Sequence, residues 1–397
     1  MCGISPCPLL TKIKKSVKYK GTKSLAGLVG PSPPSIFVGR YGYPNVRIGP
    51  SANWTPDGEI NSDIISSGNP ADLFGKSLEV VASKHANLVT GSKNNLVNYE
   101  NNSNVILEVT QEIAMSAKSV DIEIDFVKPV LIDNNLSFDS ISNPIGPSGD
   151  ISRTEVIGHI NIPRKVDSIV NETDLKVSQA MNELVDSDIG EAHISRMLST
   201  GLLGISGNRK LVPTRWSITA TDDILGKQLW EKIRDNSSLD KIRVHEAAYL
   251  DNHFYIILIP GLWAFQMMEV WSKGSLWNHS DLGKVIEDRE DLAPRNKYAS
   301  NITGAYYAAR LGVLEHLNSI NKSGACLIWR DIGPGYWAPV GVWLIRETIR
   351  TALTNDAKYF DTVKDSLNYL KGKVSKPSEL ENSWFINRNR QTRLDLF

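Results

Sequence analysis

One short segment carries carboxylates at a spacing that metal-dependent enzymes use. Asp121, Glu123 and Asp125 alternate with apolar residues across Val120–Phe126, which is the period of a half-buried strand. Three carboxylates on one strand face can hold Mg²⁺ for hydrolysis, as in a nuclease. The lysine that accompanies such carboxylates is out of place, because Lys128 falls one residue too late. We therefore favour a charged, solvated outer face.

Cysteine supplies a second candidate metal group. Cys2 and Cys7 flank a segment with Gly and Pro, and they would form half of a zinc site, which needs four ligands. The third cysteine, Cys326, lies in an apolar stretch and is predicted to be a core residue. None of the seven histidines has zinc-finger spacing to the pair. Zinc is thus the one cofactor indicated, at an incomplete site.

Arginine and aromatic residues occur together in two segments, one rich in glycine and one that follows Gly201, Gly204 and Gly207. The first is Phe37–Tyr43 and the second is Asn208–Thr219. Forked guanidinium groups beside Trp216 suit phosphate binding and base stacking. A surface hairpin with Trp216 in the core explains the second segment equally well. The candidate nucleic-acid-binding residues are Arg40, Arg47, Arg209, Lys210 and Arg215.

A third segment, Trp329–Pro339, combines a strand end, a Gly-Pro turn and an aromatic pair before a predicted helix. Charged and aromatic groups at such strand ends are where α/β folds place ligands. Arg330, Tyr336 and Glu347 are the candidate catalytic residues, and an internal ion pair in a structural turn is the alternative. A pocket that joined Arg40, Arg215, Arg330 and Glu347 would indicate an enzyme acting on DNA or a nucleotide.

The segment Gln391–Phe397 has the pattern Q-x-x-L-x-x-F, which resembles the PIP motif that binds the PCNA sliding clamp. One turn of 3₁₀-helix places Leu394 and Phe397 on one side, where they can enter an apolar groove. Gln391 offers a donor and an acceptor to a polar pocket. Such motifs usually carry a second aromatic residue, so we expect weaker clamp binding. The polar residues at 387–390 predict a disordered lead.

Composition fits an intracellular, soluble globular protein. Lys and Arg total 44, as do Asp and Glu, so a nucleic-acid surface would need a local basic cluster. The N-terminal thirty residues hold six lysines and no acidic residue, which predicts a solvated tail or phosphate contacts. No signal peptide or membrane span is evident. We expect a cytoplasmic, nucleoid-associated protein without a membrane partner.

Apolar periodicity predicts a mixed α/β (α+β) protein with an elaborated single core or two closely packed subdomains. Strands are expected at 120–126, 153–162, 212–220, 242–248, 253–259 and 325–329. Helices are expected at 71–89, 104–118, 174–185, 189–199, 223–235, 299–318, 341–354, 357–371 and 378–385. Motifs for Rossmann, Walker A, α/β-hydrolase and zincin sites are absent.

Several blocks of the sequence resemble the archaeal Nre family of DNA-repair proteins. The matching blocks are Cys2–Leu10, Val38–Pro44, Asn208–Thr219, Ile259–Trp263 and Gln391–Phe397. The resemblance implies repair of DNA damage together with the sliding clamp and supplies no catalytic mechanism. The family's zinc motif has an earlier Cys pair, whereas this sequence starts at the second piece. The zinc site is therefore expected to be either degenerate in this chain or completed by residues upstream of Met1.

The resemblance also suggests a division of the chain. We predict a basic N-terminal segment with a partial zinc motif at 1–30 and the Nre body at 31–375, with a possible subdivision near 150–200. A terminal helix and linker would follow at 376–390, and the clamp-binding segment at 391–397. The predicted function is a clamp-recruited repair factor that contacts DNA and other repair proteins. The alternatives are the enzyme described above and a non-catalytic clamp adaptor.

Overall fold

A computed structural model describes residues 23–54, 68–99, 104–132, 141–275 and 283–391. Contacts divide the chain into two units. The first comprises Gly3–Ile224 with Pro339–Gly341, and the second comprises Leu225–Ala338 with Val342–Phe397. Each unit contains one six-stranded mixed sheet with helices, so the α+β class is confirmed.

The sheet of the first unit has the order β1-β5-β6-β4-β3-β2. All neighbours are antiparallel except β4 and β6, which run parallel. The strands are β1 (Lys23–Ser32), β2 (Ile36–Val38), β3 (Asn45–Asn53), β4 (Leu88–Leu96), β5 (Val120–Ile132) and β6 (Ser148–Val156).

The predicted strand at 120–126 is confirmed as the first half of β5. Val120, Ile122 and Ile124 are buried there, while Asp121 is exposed, which is the alternation that the sequence predicted. The second strand also exists and pairs with β5, but β6 begins and ends several residues before the predicted 153–162.

Five helices accompany this sheet in the part of the first unit that the structure describes, before the helix that leads into the second. Asparagine 104 caps α2 by accepting a hydrogen bond from the backbone N–H of Leu107 at 3.1 Å, which fixes where that helix begins. The helices are α1 (Leu78–Ala86), α2 (Val105–Met115), α3 (Arg164–Asn171), α4 (Val177–Val185) and α5 (Glu191–Ser199).

The predicted strand at 212–220 is wrong. The chain forms one long helix, α6 (Thr214–Ile233), where a strand and a shorter helix at 223–235 were expected. It begins directly after Pro213, whose carbonyl accepts a hydrogen bond from the Ser217 N–H at 3.0 Å. Proline lacks an N–H to donate and its φ suits the entry to a helix, so this start is favourable.

The buried face of α6 explains why apolar periodicity missed it. Ser217, Thr221 and Leu225 are buried at every fourth position, which is helical spacing. Two of these three side chains are polar and small, while the large Trp216 is 45% exposed. The prediction from apolar periodicity therefore rested on the β-branched and aromatic residues, which favour strands. It missed the small polar residues that form the buried side of the helix.

The sheet of the second unit has the order β10-β9-β11-β8-β7-β12, and only β9 and β11 run parallel. The predicted hairpin is confirmed, and both residues of its turn, Leu250 and Asp251, have positive φ. The strands are β7 (Ile242–Tyr249), β8 (Asn252–Ile259), β9 (Ala264–Trp271), β10 (Val285–Asp291), β11 (Ala325–Ile332) and β12 (Lys358–Phe360).

Helices of the second unit follow the predictions up to residue 354. The predicted helix at 357–371 is shorter, because β12 occupies its beginning. The expected disordered lead at 387–390 is wrong, because these residues belong to a last helix that includes Gln391. The helices are α7 (Gly304–Ser319), α8 (Trp343–Thr354), α9 (Val363–Leu370), α10 (Pro377–Glu381) and α11 (Trp384–Gln391).

Candidate nucleic-acid interface

The loop between β2 and β3 presents two tyrosines to solvent. Its ends are held by a hydrogen bond from the Gly39 N–H to the Arg47 carbonyl at 2.8 Å. Gly42 has a φ of 84°, a conformation that favours glycine, and its carbonyl accepts from the Asn45 N–H at 2.8 Å. Tyr41 is 81% exposed and Tyr43 is 51% exposed.

The start of α6 is fastened to this loop. The Val38 N–H, at the end of β2, donates to the Thr214 hydroxyl at 2.9 Å. The Ser217 hydroxyl lies 3.1 Å from that of Ser195 on α5, which holds the next turn. As a result the rings of Tyr43 and Trp216 approach to 5.4 Å between centroids, with their planes tilted by 53°.

Arg40 completes the exposed group. Its guanidinium lies 4.9 Å above the centroid of the Tyr41 ring and donates to the Tyr41 hydroxyl at 3.1 Å. We call Arg40, Tyr41, Tyr43 and Trp216 the aromatic platform. The sequence had indicated Arg40 and Trp216 in separate segments but not that these segments meet, and only the shared glycine, aromatic and arginine composition hinted at it.

The stretches of sequence around the platform residues contain no acidic residue before Asp222 and Asp223, which come later in α6. No Asp or Glu occurs in 23–54 or in 192–221. Besides Arg40, the second segment contributes Lys210, which is exposed, and Arg215, which is half-buried next to Trp216. These two ranges together carry seven Lys or Arg residues and no Asp or Glu, so their net charge is positive, whereas the net charge of the whole chain is zero.

Two of the predicted nucleic-acid-binding residues make internal contacts. The guanidinium of Arg209 donates to the carbonyls of Gly204, Val170 and Glu172 at 2.8, 2.9 and 2.6 Å. It thereby satisfies carbonyls at the C-terminal end of α3 that the helix leaves without partners. Arg47 forms an ion pair with Asp150 at 2.7 Å and donates to the Ser92 hydroxyl across the sheet.

A buried basic pair lies on α5 in the first unit. Arg196 donates to the carbonyls of Gly68 and Ser116, both at 3.2 Å, and burial lowers its pKa to about 10. His193 contacts the Met115 carbonyl at 3.1 Å, and burial together with the charge of Arg196 lowers its pKa to about 3. Neither side chain was singled out from the sequence, which gives no signal for burial on a polar helix.

In the second unit, Arg330 and Tyr336 come together in a buried setting. Arg330 forms an ion pair with Glu269 at 2.5 Å, and its other nitrogens donate to the Asn252 amide oxygen at 3.1 and 2.6 Å. The Tyr336 ring centroid is 6.0 Å from the guanidinium. Both residues are only 4% exposed. This arrangement matches the internal ion pair that the sequence allowed as the alternative to a catalytic role.

The turn before Tyr336 is tied to the β7–β8 hairpin. The Asp251 carboxylate accepts from the Gly335 N–H at 2.6 Å, and the Asp251 carbonyl accepts from the Gly333 N–H at 2.8 Å. A Cβ at Gly333 would collide with this carboxylate, so the close approach requires glycine. The third candidate catalytic residue, Glu347, pairs with Arg350 on α8 at 2.6 Å.

Metal ligands do not gather among the described residues. In these ranges no group of three or more His, Cys, Asp or Glu side chains could hold a metal ion. Asp125 instead lies 3.9 Å from Arg153 on the outer face of β5 and β6. Cys326 is fully buried, as predicted, and burial raises its pKa. Cys2 and Cys7 lie outside the described residues, so the zinc site stays a prediction.

The residues before the clamp-like motif are anchored in the second unit. Phe385 and Ile386 of α11 are fully buried in a core cluster that includes Ile257, Leu327 and Trp329. Arg388 binds Asp291 of β10 at 2.7 Å. Gln391 is the last residue of α11, and Leu394 and Phe397 lie outside the described residues.

In the described ranges no helix has the length and apolar character to cross a membrane.

Comparison with known proteins finds matches along the whole chain. The family description "Archaeal Nre, N-terminal" fits residues 1–278, and "Archaeal Nre, C-terminal" fits residues 290–397. The chain is 34% identical to DNA repair protein NreA of Archaeoglobus fulgidus, over 100% of this chain and 96% of the relative.

Two further relatives are similar to the same extent. DNA repair protein NreB of Archaeoglobus fulgidus is 33% identical over 99% of this chain and 96% of its own length. DNA repair protein NreA of Haloferax volcanii is 34% identical over 89% of this chain and 85% of its own length. No solved structure matches.

Proposed function

Because this chain belongs to the archaeal Nre family, we propose that it is a DNA-damage repair factor that is recruited to the PCNA sliding clamp and contacts DNA. The role in DNA repair follows from full-length relatives that are named DNA repair proteins. Clamp recruitment would use Gln391, Leu394 and Phe397. DNA contact would use Arg40, Lys210 and Arg215 of the first unit, with Arg47 at its margin.

Clamp recruitment is supported by the Q-x-x-L-x-x-F pattern at 391–397, which comes directly after residues of α11 that are anchored in the second unit. The buried anchors of α11, Phe385 and Ile386, precede the motif, and Arg388 is held by Asp291. The apolar residues of the motif, Leu394 and Phe397, come after Gln391 in the sequence and lie outside the described residues. Replacing them leaves Phe385, Ile386 and Arg388 unchanged, so we expect a binding defect without a folding defect.

The test is isothermal calorimetry of the full chain with its purified sliding clamp. Replacing Leu394 and Phe397 together by alanine should weaken binding by about 30-fold or more, because buried apolar anchors dominate such interfaces. The melting temperature should stay at the wild-type value.

Leu396→Ala provides the matched control. It removes as many methylene and methyl groups as Leu394→Ala, but at a position that the motif leaves unspecified. We expect Leu394→Ala to weaken binding about tenfold and Leu396→Ala to leave it near the wild-type value. Equal effects of the two single variants would contradict recruitment through this motif.

DNA contact is supported by charge and by the aromatic platform. The segments 23–54 and 192–221 carry basic residues and no acidic residue, in a chain whose total charge is zero. A local cluster of this kind is what a protein without net positive charge needs to bind phosphates. Exposed aromatic rings beside the cluster are typical of surfaces on which bases stack.

A further inference from the structure

We propose that Tyr43 and Trp216 bind unpaired bases, so that the DNA form recognised by the first unit is single-stranded. Arg40 and Arg215 would contact the phosphates on either side of the stacked bases. This inference rests on the proposed function only in that DNA is the partner, and it adds the structural class of that DNA.

Exposure of the two rings is the first argument. Large aromatic side chains are normally mostly buried, yet Tyr43 is 51% and Trp216 is 45% exposed, and Tyr41 beside them is 81% exposed. The two rings are tilted by 53° rather than stacked on each other, so each keeps a face for an incoming ring. A base offers a flat π-face of matching size, and stacking is worth about 1–3 kcal/mol per base.

The positive charge of the arginines beside the rings favours a polyanion as the ligand. Arg40 lies over the Tyr41 ring, and Arg215 precedes Trp216 directly in the chain. The ranges 23–54 and 192–221 carry seven Lys or Arg residues and no Asp or Glu, and this net positive charge favours phosphates over cationic peptides. Arginine next to an aromatic ring can also extend the stacking surface through its planar guanidinium.

The position of the rings is fixed before a ligand arrives. The Val38–Thr214 hydrogen bond joins the two segments, and the Gly42–Asn45 turn sets where Tyr43 projects. A pre-organised platform loses little conformational entropy on binding. In a duplex each base face is covered by its neighbours, so rings of this kind gain access only to unpaired bases.

The experiment measures fluorescence anisotropy with three labelled probes of about twelve nucleotides, a length within the site sizes of single-strand-binding folds. The first is oligothymidylate, the second is an abasic strand with the same phosphates but no bases, and the third is a blunt duplex. The full-length wild-type chain should bind oligothymidylate at least about tenfold more tightly than the abasic strand and the duplex.

Variants then assign this preference to the platform. Tyr43→Ala and Trp216→Ala should each reduce the preference for oligothymidylate over the abasic strand by about fivefold or more, while leaving abasic binding unchanged. Trp216→Phe keeps an aromatic face and should retain most of the preference. Because both residues are about half exposed, circular dichroism should show wild-type folding in all three variants.

Tyr359→Ala is the matched control in the second unit. Tyr359 is 58% exposed and also lies under a guanidinium, that of Arg243, which donates to Asp240 at 2.8 Å. Tyr359→Ala should leave the preference for oligothymidylate over the abasic strand at the wild-type value. The inference is overturned if wild-type protein binds the abasic strand as tightly as oligothymidylate, or if Tyr43→Ala and Trp216→Ala keep the preference. DNA binding that survives in either case leaves the proposed function standing.

Discussion

Both units place an arginine against at least one aromatic ring, but the two arginines differ in burial. In the first unit, Arg40 is exposed and lies over Tyr41 in a segment without acidic residues. In the second unit, Arg330 lies 5.5 to 6.0 Å from three ring centroids, is 4% exposed and is neutralised by Glu269. The same residue types are therefore exposed to solvent in one unit and buried in a core contact in the other.

Burial separates the two arginine–aromatic groups. Arg330 uses Nε, Nη1 and Nη2 for Glu269 and Asn252, so its hydrogen-bonding capacity goes into holding β11 to β8 and β9. Such a pair is costly to break and has little left to offer a substrate. The rings of Tyr43 and Trp216 instead remain accessible to a binding partner.

The largest expected effect comes from breaking the buried pair. Arg330→Ala leaves the Glu269 carboxylate buried without its partner, so we expect the free energy of unfolding to fall by about 3–5 kcal/mol. Urea denaturation of the full chain measures this loss.

Arg350→Ala is its control. Arg350 also binds two carboxylates, Glu315 and Glu347, but its side chain is 30% exposed. Solvent screens such pairs, so this change should cost only about 0–1 kcal/mol. If Arg330→Ala lowers the free energy of unfolding no more than Arg350→Ala does, the distinction between the buried and the partly exposed arginine is wrong.

Acid should destabilise the cores while leaving the arginine charges unchanged. Burial lowers the pKa of His85 to about 4, and burial with the neighbouring His245 and Arg243 lowers that of His316 to about 4. An unfolded histidine has a pKa near 6.5, so between about pH 6.5 and 4 only the unfolded chain takes up these protons.

Stability is therefore fully present above pH 6.5 and is lost as the pH falls towards 4. Each such histidine contributes a slope of up to about 1.4 kcal/mol per pH unit in this window. Urea midpoints at pH 7.0, 6.0 and 5.0 measure the slope. His85→Gln should flatten it by about one proton, and a slope that this variant leaves unchanged would contradict the burial of His85.

The sequence predicted the fold class, the alternation of β5 and the β7–β8 hairpin, because each depends on a local pattern. It misassigned 212–220, because the buried side of α6 is formed by Ser217 and Thr221 rather than apolar residues. The contact of Tyr43 with Trp216 could not be predicted, since the two are far apart in the chain and their segments are joined by tertiary contacts such as the hydrogen bond from Val38 to Thr214.

The roles of individual basic residues could not be predicted from the sequence either. Arg209 and Lys210 are adjacent and both looked suited to phosphates, yet Arg209 turns to three backbone carbonyls while Lys210 is exposed. Which neighbour faces inward depends on where α3 ends, and nothing in the segment 208–219 encodes that position.

The central claim is that Arg40, Lys210 and Arg215 of the first unit contact DNA. A salt titration of oligothymidylate binding tests this claim. Fluorescence anisotropy of the full chain gives the slope of log K against log salt, to which each phosphate contact on a single strand contributes about 0.7. The variants are the triple change of Arg40, Lys210 and Arg215 to alanine, and Arg209→Ala as the control.

We predict that the triple variant loses about two units of slope, because about three phosphate contacts disappear. Arg209→Ala should keep the wild-type slope but lose about 1–3 kcal/mol of stability, since its three carbonyl acceptors lose their donor. A triple variant with the wild-type slope, or an Arg209→Ala slope that falls as far as that of the triple variant, would contradict the account.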